Sequence, residues 1–275
     1  MYRAMKKSNI FSKRNRVLIK ELVKTDFKLR YQGSLLGVAW SVLKPLMLFI
    51  VMYLVFVKFL RFTDGTPSYP IVLLLGISVW GFVTEATSVG MQSIVSRGDL
   101  MRKINFPKYI IIISSVASSS IGLFINLAVV LVFAAFTGVS LTRFALLAPI
   151  SILQLCVLVV GTSLILSALY VKYRDISHIW DVILQIVFYS MPIIYPLTLV
   201  SKSYPVIAKL MMLNPVAQII QDLRHNLVAP STVPTVWNVV NNFWIAIIPI
   251  VLTFVIFIVG VVYFRKNSKK FAEIV

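Results

Sequence analysis

Long runs of apolar residues constrain this 275-residue chain more than any other feature of its sequence. A run of about 20 apolar residues, wound as a helix, spans the roughly 30 Å hydrocarbon core of a bilayer. Hydrophobic residues make up 59% of the chain and charged residues 13%, whereas an average soluble domain is roughly half apolar and a quarter charged. A soluble fold cannot bury that much apolar surface, so the sequence predicts an integral membrane protein.

The apolar runs are predicted to be helices. Inside a bilayer every backbone N–H and C=O group needs a partner within the protein, and only helices and closed barrels provide this. The runs lack the alternating pattern, about ten residues long, of a barrel strand. We therefore predict an all-α integral membrane protein with six transmembrane helices. Their approximate bounds are 36–60, 70–95, 109–136, 144–171, 179–200 and 243–264.

Turn and proline signals lie between and within these spans. The turn Asp64-Gly65-Thr66-Pro67 separates the first two spans. Pro192 and Pro196 are expected to kink or break the outer half of the fifth span. Residues 204–228 contain two apolar pieces on either side of Asn214-Pro215, each too short to cross a membrane. This pattern predicts an outer re-entrant helical hairpin before the last span.

The distribution of basic residues predicts the orientation. With both termini in the cytoplasm, 21 of the 27 Lys and Arg residues lie on cytoplasmic segments, which agrees with the positive-inside rule. These basic flanks account for the net charge of +18, so we expect no nucleic-acid partner. The predicted domains are a cytoplasmic amphipathic interface helix over residues 1–35 and a single transmembrane domain over residues 36–275, whose cytoplasmic tail is 265–275.

The N-terminal segment has the pattern of an amphipathic helix. At 100° per residue its apolar side chains fall on one half of the helix and its lysines on the other. The apolar half contains Phe11, Leu18, Ile19, Leu22, Val23, Phe27 and Leu29, and the lysines are Lys13, Lys20, Lys24 and Lys28. Two roles stay open: a membrane-surface anchor for the first span, or a collar around a substrate entrance that also contacts a cytoplasmic partner.

Catalytic and metal-binding patterns are missing from the sequence. The spacing of His178, His225 and Cys156 does not fit a metal site, and no nucleophile has a base beside it in the sequence. We therefore expect no metal and no cofactor on this chain. The sequence also lacks the glycine-rich loop, ending in Lys and Ser or Thr, that cradles nucleotide phosphates. ATP-driven work would therefore need a second polypeptide. A membrane enzyme or a self-sufficient carrier remains a less favoured alternative.

Two charged residues lie at membrane depth or close to it. Glu85 is inside the second span, among Thr84, Thr87 and Ser88, and ionisable groups at that depth are costly and often functional. A structural role in the bundle and a transport role both stay open for it. Lys44 precedes a proline near the cytoplasmic end of the first span, where it either reaches the lipid headgroups or faces a phosphate at an entrance.

Four segments carry a resemblance to a known family. Residues 28–45, KLRYQGSLLGVAWSVLKP, resemble the signature with which permease subunits of type-2 ABC exporters for cell-surface polysaccharides and teichoic acids begin their first span. RGDLMRKINFPKY at 97–109 and VKYRDISHI at 171–179 resemble that family's loops between spans two and three and between spans four and five. LNPVAQIIQDLR at 213–224 resembles its outer re-entrant segment. The segments follow the family's order over nearly the whole chain.

This resemblance implies a homodimer of multi-pass subunits in the bacterial cytoplasmic membrane, bound to two copies of a cytoplasmic ABC ATPase that carries the ATP and Mg. The implied cargo is an undecaprenyl-diphosphate-linked polysaccharide, such as O antigen, capsule or teichoic acid, which moves from the cytoplasm to the outer side. A type-2 ABC permease for a smaller lipid or a drug is the alternative. The sequence does not name the polymer.

The resemblance also directs attention to three sets of residues. Cationic candidates for binding the lipid diphosphate at the entrance are Lys28, Arg30 and Lys44. Aromatic candidates for lining the pore, where rings stack on sugar faces, are Trp40, Phe49, Tyr53, Phe56, Trp80, Tyr189 and Tyr195. Candidates for coupling to the ATPase are Arg102, Lys103, Asn105, Phe106, Pro107, Arg174 and Asp175.

Overall fold

The computed structural model describes residues 12–61, 68–104, 106–139, 142–268 and 271, and this part of the chain is helical with no strand. Its first six α-helices are α1 (Lys13–Tyr31), α2 (Trp40–Met52), α3 (Tyr69–Ser96), α4 (Gly98–Lys103), α5 (Tyr109–Phe136) and α6 (Ala148–Lys172). The others are α7 (Ile176–Ser190), α8 (Leu197–Ser203), α9 (Pro205–Met212), α10 (Pro215–Leu227), α11 (Val236–Val240), α12 (Phe243–Ala246) and α13 (Ile248–Asn267). The predicted all-α architecture is confirmed.

Five helical stretches in the described part of the chain are long and apolar enough to cross a membrane: Gly37–Phe59, Tyr69–Ser96, Tyr109–Phe136, Arg143–Lys172 and Phe243–Asn267. They correspond to five of the six predicted spans, within three residues at each end. The first consists of α2 with a 3₁₀ turn before it and a π-helix, Tyr53–Phe59, after it. The chain is therefore a multi-pass membrane protein.

The region of the predicted fifth span is less regular. Its helix α7 has 15 residues and ends at Ser190, so the break predicted in the outer half of this span is confirmed. Residues 191–196 are not helical, and α8 follows them. The two short pieces predicted around Asn214-Pro215 are the helices α9 and α10. The Asn214 side chain accepts a hydrogen bond from the Val216 N–H and so caps α10.

Small residues let the central helices approach closely. At the crossing of α6 and α13, a Cβ atom on Gly260 would lie 2.4 Å from the carbonyl oxygen of Gly161. At the crossing of α3 and α6, a Cβ atom on Gly90 would lie 2.6 Å from Oγ of Ser163. In a bilayer such close backbone packing replaces the hydrophobic driving force between helices. The helices α3, α5, α6 and α13 thus form the centre of the bundle.

Arg224 joins α10 to α3 and to the segment after α7. Its side chain is 2% exposed. Its guanidinium donates hydrogen bonds to the carbonyl oxygens of Pro192, Ile193 and Val72 at 2.5, 2.7 and 2.9 Å. The hydroxyl of Tyr69 donates to the next carbonyl, that of Ile194, at 2.9 Å. Because residues 191–194 are buried and not helical, these donors supply the partners that a helix would otherwise provide.

Several predicted features lie outside the described residues. These are Phe11 with the rest of residues 1–11, the turn Asp64-Gly65-Thr66-Pro67, Asn105, and residues 269–270 and 272–275 of the tail. The predicted division at residue 35 stays a prediction. The described part of the interface helix, α1, begins after Ser12, whose side chain accepts a hydrogen bond from the Asn15 N–H at 3.3 Å.

Gly76 tests the role of Arg224. A Cβ atom at Gly76 would lie 2.2 Å from a guanidinium nitrogen of Arg224, whereas one at Gly81 on the same helix meets nothing within 4 Å. We expect Gly76→Ala to displace Arg224 from its carbonyls and to lower stability by about 1–3 kcal/mol, the cost of a buried polar group left without its hydrogen bond. The measurement is thermal unfolding of the purified protein in detergent.

Gly81→Ala is the matched control, because both substitutions carry the same gain of about 1 kcal/mol in helix propensity. Arg224→Gln should reproduce the loss seen for Gly76→Ala. Equal melting temperatures for Gly76→Ala and Gly81→Ala would refute the role assigned to Arg224.

Candidate functional site

A polar stripe follows one side of α3. Its members are small or polar and recur every three or four residues, so they share one face of the helix. They are Gly81, Thr84, Glu85, Ser88, Gln92 and Ser96, of which Thr84 and Ser88 are half-buried and the others exposed. Most other residues of α3 are buried. A polar face on a membrane-spanning helix is suited to protein or water and not to lipid.

Helices α2 and α7 both pack against α3. Within Gly37–Phe59 no residue is buried, and Leu184 is the one buried residue of α7. The indole N–H of Trp180 on α7 donates a hydrogen bond to the hydroxyl of Thr87 on α3 at 3.0 Å. The two flanking helices are thus fixed to α3 on one side and leave their other sides open.

The predicted pore aromatics fall into two groups. Trp80 on α3 lies 5.9 Å from Phe188 between ring centroids, and Phe188 lies 5.2 Å from Tyr189. The hydroxyl of Tyr195 donates to the carbonyl oxygen of Tyr189 at 3.1 Å. Sequence reasoning missed Phe188, because its place in this cluster depends on how α7 packs against α3.

The second group is on α2 and the π-helix that continues it. Phe49 and Tyr53 lie 5.8 Å apart between ring centroids. Trp40 is exposed at the start of α2, and Phe56 is half-buried within the π-helix. The seven predicted rings therefore do not form one cluster in a single subunit. Their role in lining a pore stays a prediction.

Arg30, one of the predicted entrance cations, forms an ion pair with Glu85 of the polar stripe. Its guanidinium also donates to the hydroxyl of Ser119 on α5 at 3.1 Å. The Arg30 side chain is 19% exposed and the Glu85 side chain 43% exposed. The contact identifies the partner of Glu85, which the sequence left open because the two residues are 55 positions apart.

A second ion pair joins the same elements with the charges exchanged. Asp26 of α1 pairs with Arg97, which follows α3, and Arg97 donates to the hydroxyl of Ser114 on α5 at 3.2 Å. The two side chains are 16% and 15% exposed. Each ion pair thus joins a residue of α1 to a residue of α3 or of its C-cap, and the arginine of each pair also donates to a serine of α5. The interface helix α1 is attached to the bundle at two points.

A mostly apolar groove whose lining includes three lysines lies along α1. Its volume is about 790 Å³, and it is lined by α1, the turn that follows it, and α5. The lining residues are Lys20, Val23, Lys24, Phe27, Lys28, Gln32, Gly37, Val38 and Ile121. Lys28 is one of the predicted entrance residues, and Lys20 and Lys24 lie on the same face of α1, because the three lysines are spaced four residues apart.

Two glycines shape the turn that closes this groove. Gly33 and Gly37 have φ values of 77° and 51°, in the left-handed region that favours glycine. They redirect the chain from α1 into the first span. Lys44, the third predicted entrance cation, is exposed on α2, and neither Lys44 nor Arg30 lines the groove.

The surface of the groove is mostly apolar, and three lysine side chains contribute to its lining. Like charges four residues apart on a helix repel one another, so a bound anion relieves that repulsion. Val23, Phe27, Val38 and Ile121 provide apolar contact next to the charges. The groove is chemically suited to an anionic amphiphile, with a phosphate near the lysines and a hydrocarbon chain against the apolar wall.

The predicted coupling residues lie on two connections at the end of the bundle where α3 and α6 both terminate. Arg102 and Lys103 are exposed at the end of α4, and Phe106 is half-buried against the core. Pro107, also half-buried, precedes Lys108, whose ammonium donates to the carbonyl oxygen of Ser268 at 2.5 Å.

The second connection joins α6 to α7. Arg174 and Asp175 are exposed there. The guanidinium of Arg174 lies 5.1 Å from the ring centroid of Tyr170. Contact of either connection with another subunit stays a prediction.

Comparison with known proteins agrees with this architecture. The family model for the ABC-2 type transporter matches residues 17–228. The O-antigen export system permease protein RfbA of Myxococcus xanthus is 30% identical over 183 residues, which cover 66% of this chain and 70% of the relative. A protein of the same name from Klebsiella pneumoniae is 25% identical over 258 residues, 94% of each chain. Because the family model matches more than half of this chain, the chain belongs to the ABC-2 type transporter family.

Proposed function

We propose that this chain is the transmembrane, channel-forming subunit of an ATP-driven exporter that moves an undecaprenyl-diphosphate-linked polysaccharide across the bacterial cytoplasmic membrane. The membership of the family and the O-antigen export permeases among its relatives support this proposal. The groove with Lys20, Lys24 and Lys28 is the observation that carries it, because the groove suits a lipid diphosphate. A permease for a smaller lipid or a drug is not favoured by these relatives.

The chain acts as a permease and not as an enzyme. ATP and Mg bind to a separate ABC ATPase, of which two copies associate with a homodimer of this chain. The open sides of α2 and α7 and the polar stripe between them support the proposed homodimer. A second copy facing the first would enclose the two stripes in a pathway shielded from lipid.

Six crossings place both termini in the cytoplasm. Helix α7, about 22 Å long at 1.5 Å per residue, makes the fifth crossing together with residues 191–196. Non-helical backbone at membrane depth is tolerated only where the protein itself satisfies it, and Arg224 and Tyr69 donate to three consecutive carbonyls of this segment. Helices α9 and α10 then form the outer re-entrant hairpin before the last span.

The cargo enters at the groove and continues along the polar stripe. The lysines of α1 bind its diphosphate by charge-assisted hydrogen bonds, while the undecaprenyl chain contacts the apolar wall or the lipid. The aromatic rings on α2 and α7 lie on either side of α3 and offer faces for sugar stacking. The π-helix Tyr53–Phe59 supports this assignment, since π-helical turns occur frequently at functional sites.

Coupling to the ATPase passes through α1 and the two cytoplasmic connections. Arg102 and Lys103 are exposed for contact with the partner, and Arg174 with Asp175 forms the second contact. Phe106 packs against the core of the bundle, so movement of the connection is transmitted to the spans. Closure of the ATPase dimer then shifts the inner halves of the helices as rigid bodies.

Purification of the tagged chain from its own cells tests the proposed function. We expect an ABC ATPase and an undecaprenyl-diphosphate-linked glycan to co-purify with it, because both bind the assembled exporter. Mass spectrometry of protein and lipid fractions identifies them, and an unrelated multi-pass protein purified from the same membranes is the control. Activity of the chain without an ATPase would refute the proposal.

Neutralising the groove tests the entrance. The triple variant Lys20→Gln, Lys24→Gln, Lys28→Gln should lower export by about tenfold, since three charge-assisted contacts to the diphosphate are lost. Surface polysaccharide and its lipid-linked precursor on the cytoplasmic side are measured together. The control variant removes the same charge from Lys13, Lys202 and Lys209, which are exposed outside the groove. Equal export by the two variants would contradict this entrance.

Replacing the half-buried pair before α5 tests coupling. The variant Phe106→Ala, Pro107→Ala should insert and bind the ATPase but hydrolyse severalfold more ATP per glycan exported, because the connection no longer moves with the core. ATPase activity and export are measured on the same reconstituted complex. Phe136→Ala, at the opposite end of α5 and 87% exposed, is the control. Unchanged export by the double variant would contradict the coupling role.

A further inference from the structure

We propose that Glu85 is a substrate-displaced latch: it holds the Arg30 guanidinium against α3 and α5 until the diphosphate of an incoming lipid competes for that guanidinium. This inference rests on the proposed function and gives Glu85 a role in it. Glu85 then acts through Arg30 and is a positioning residue that does not itself bind the cargo.

The depth of Glu85 requires a partner. It lies 11 residues before the end of α3, which corresponds to about 16 Å at 1.5 Å per residue. A carboxylate this far inside a membrane-spanning helix is costly unless it is paired. Arg30 provides the pair, and it reaches Glu85 because α1 packs against α5 next to α3.

The pair is placed where a substrate can reach it. Phe27 and Val23, three and seven residues before Arg30 and therefore on the same side of α1, line the groove. The Glu85 side chain, which is 43% exposed, belongs to the polar stripe. Arg30 therefore stands between the proposed entrance and the proposed pathway.

The chemistry of the two anions makes them competitors. A guanidinium offers a planar fork of N–H donors, which fits a carboxylate and a phosphate equally in geometry. A diphosphate carries more charge than Glu85 and is attracted by the three lysines of the groove as well. The carboxylate also repels the diphosphate directly. Glu85 thus weakens substrate binding in the resting state. Neutralising Glu85 should restore the affinity that is lost.

The second ion pair defines what the latch releases. Asp26 and Arg97 join α1 to the C-cap of α3, and neither residue belongs to the polar stripe. When the substrate displaces Glu85, the contact between Arg30 and Glu85 is broken, while the second ion pair still holds α1. The substrate then changes how α1, the helix proposed to contact the ATPase, is attached to the pathway helix. A ligand shifts such an equilibrium through its different affinity for the two states.

Binding of undecaprenyl diphosphate to the purified permease–ATPase complex tests the latch. Glu85→Gln keeps the shape of the side chain and removes its charge, so we expect about three- to tenfold tighter binding than in the wild type. Arg30→Gln should bind more weakly. In the variant with both substitutions, Glu85→Gln should add nothing to Arg30→Gln, because the two residues act through one contact.

Asp26→Asn is the matched control, since it neutralises the acid of the other ion pair between α1 and the α3 end. It should leave the affinity unchanged. Undecaprenol, which has no phosphate, should bind all variants equally. Size-exclusion profiles check that each variant assembles. If Glu85→Gln assembles poorly, Glu85→Asp is measured as well. It retains the charge and should bind with wild-type-like affinity.

The outcomes separate the latch from the proposed function. If the wild-type complex binds undecaprenyl diphosphate and Glu85→Gln binds no tighter, the latch is wrong and the proposed function stands. If Asp26→Asn tightens binding as much as Glu85→Gln, the effect is general loosening of α1 and the latch is again wrong. If the wild type does not distinguish undecaprenyl diphosphate from undecaprenol, the proposed entrance and the latch both fail.

Discussion

The hydrogen bonds of Arg224 to backbone carbonyls are the interaction on which the rest of this bundle depends. A bilayer offers no water to backbone that leaves the helical conformation, yet residues 191–194 leave it while buried. The guanidinium supplies their missing donors and at the same time binds the carbonyl of Val72 near the start of α3. Gly76 leaves the space that this side chain needs. One arginine thereby sets the position of α7 and α10 relative to α3.

Once α3 is fixed, its surface divides the bundle into two parts. Its buried side packs against α5 and α6 through small residues such as Gly90 and Ser163. Its other side carries the polar stripe, flanked by α2 and α7, whose other faces are open. Structural packing and the proposed pathway therefore occupy opposite faces of the same helix. A displacement of α3 would affect both.

Electrostatics connect this helix to the interface helix. The two ion pairs, Arg30 with Glu85 and Asp26 with Arg97, hold α1 at two depths along α3, and each includes a serine of α5. Only the first of them includes a residue of the polar stripe, Glu85. Partly exposed ion pairs contribute little stability, of order 1 kcal/mol or less. Their arrangement is therefore better understood as a means of positioning α1 than as a source of stability.

The sequence by itself determined that the chain lies in a bilayer, and it determined the fold class, five of the spans and the family. These follow from the length of the apolar runs, the positions of turn residues and local motifs. It also identified Glu85 as a residue of interest, since charge at that depth is costly, and the family resemblance pointed to Lys28 as an entrance cation. Only the tertiary structure decided that Glu85 contacts Arg30, that Lys20 and Lys24 share a groove with Ile121, and that Arg224 satisfies residues 192 and 193. These contacts join residues far apart in the chain, and their partners are fixed by how the helices pack.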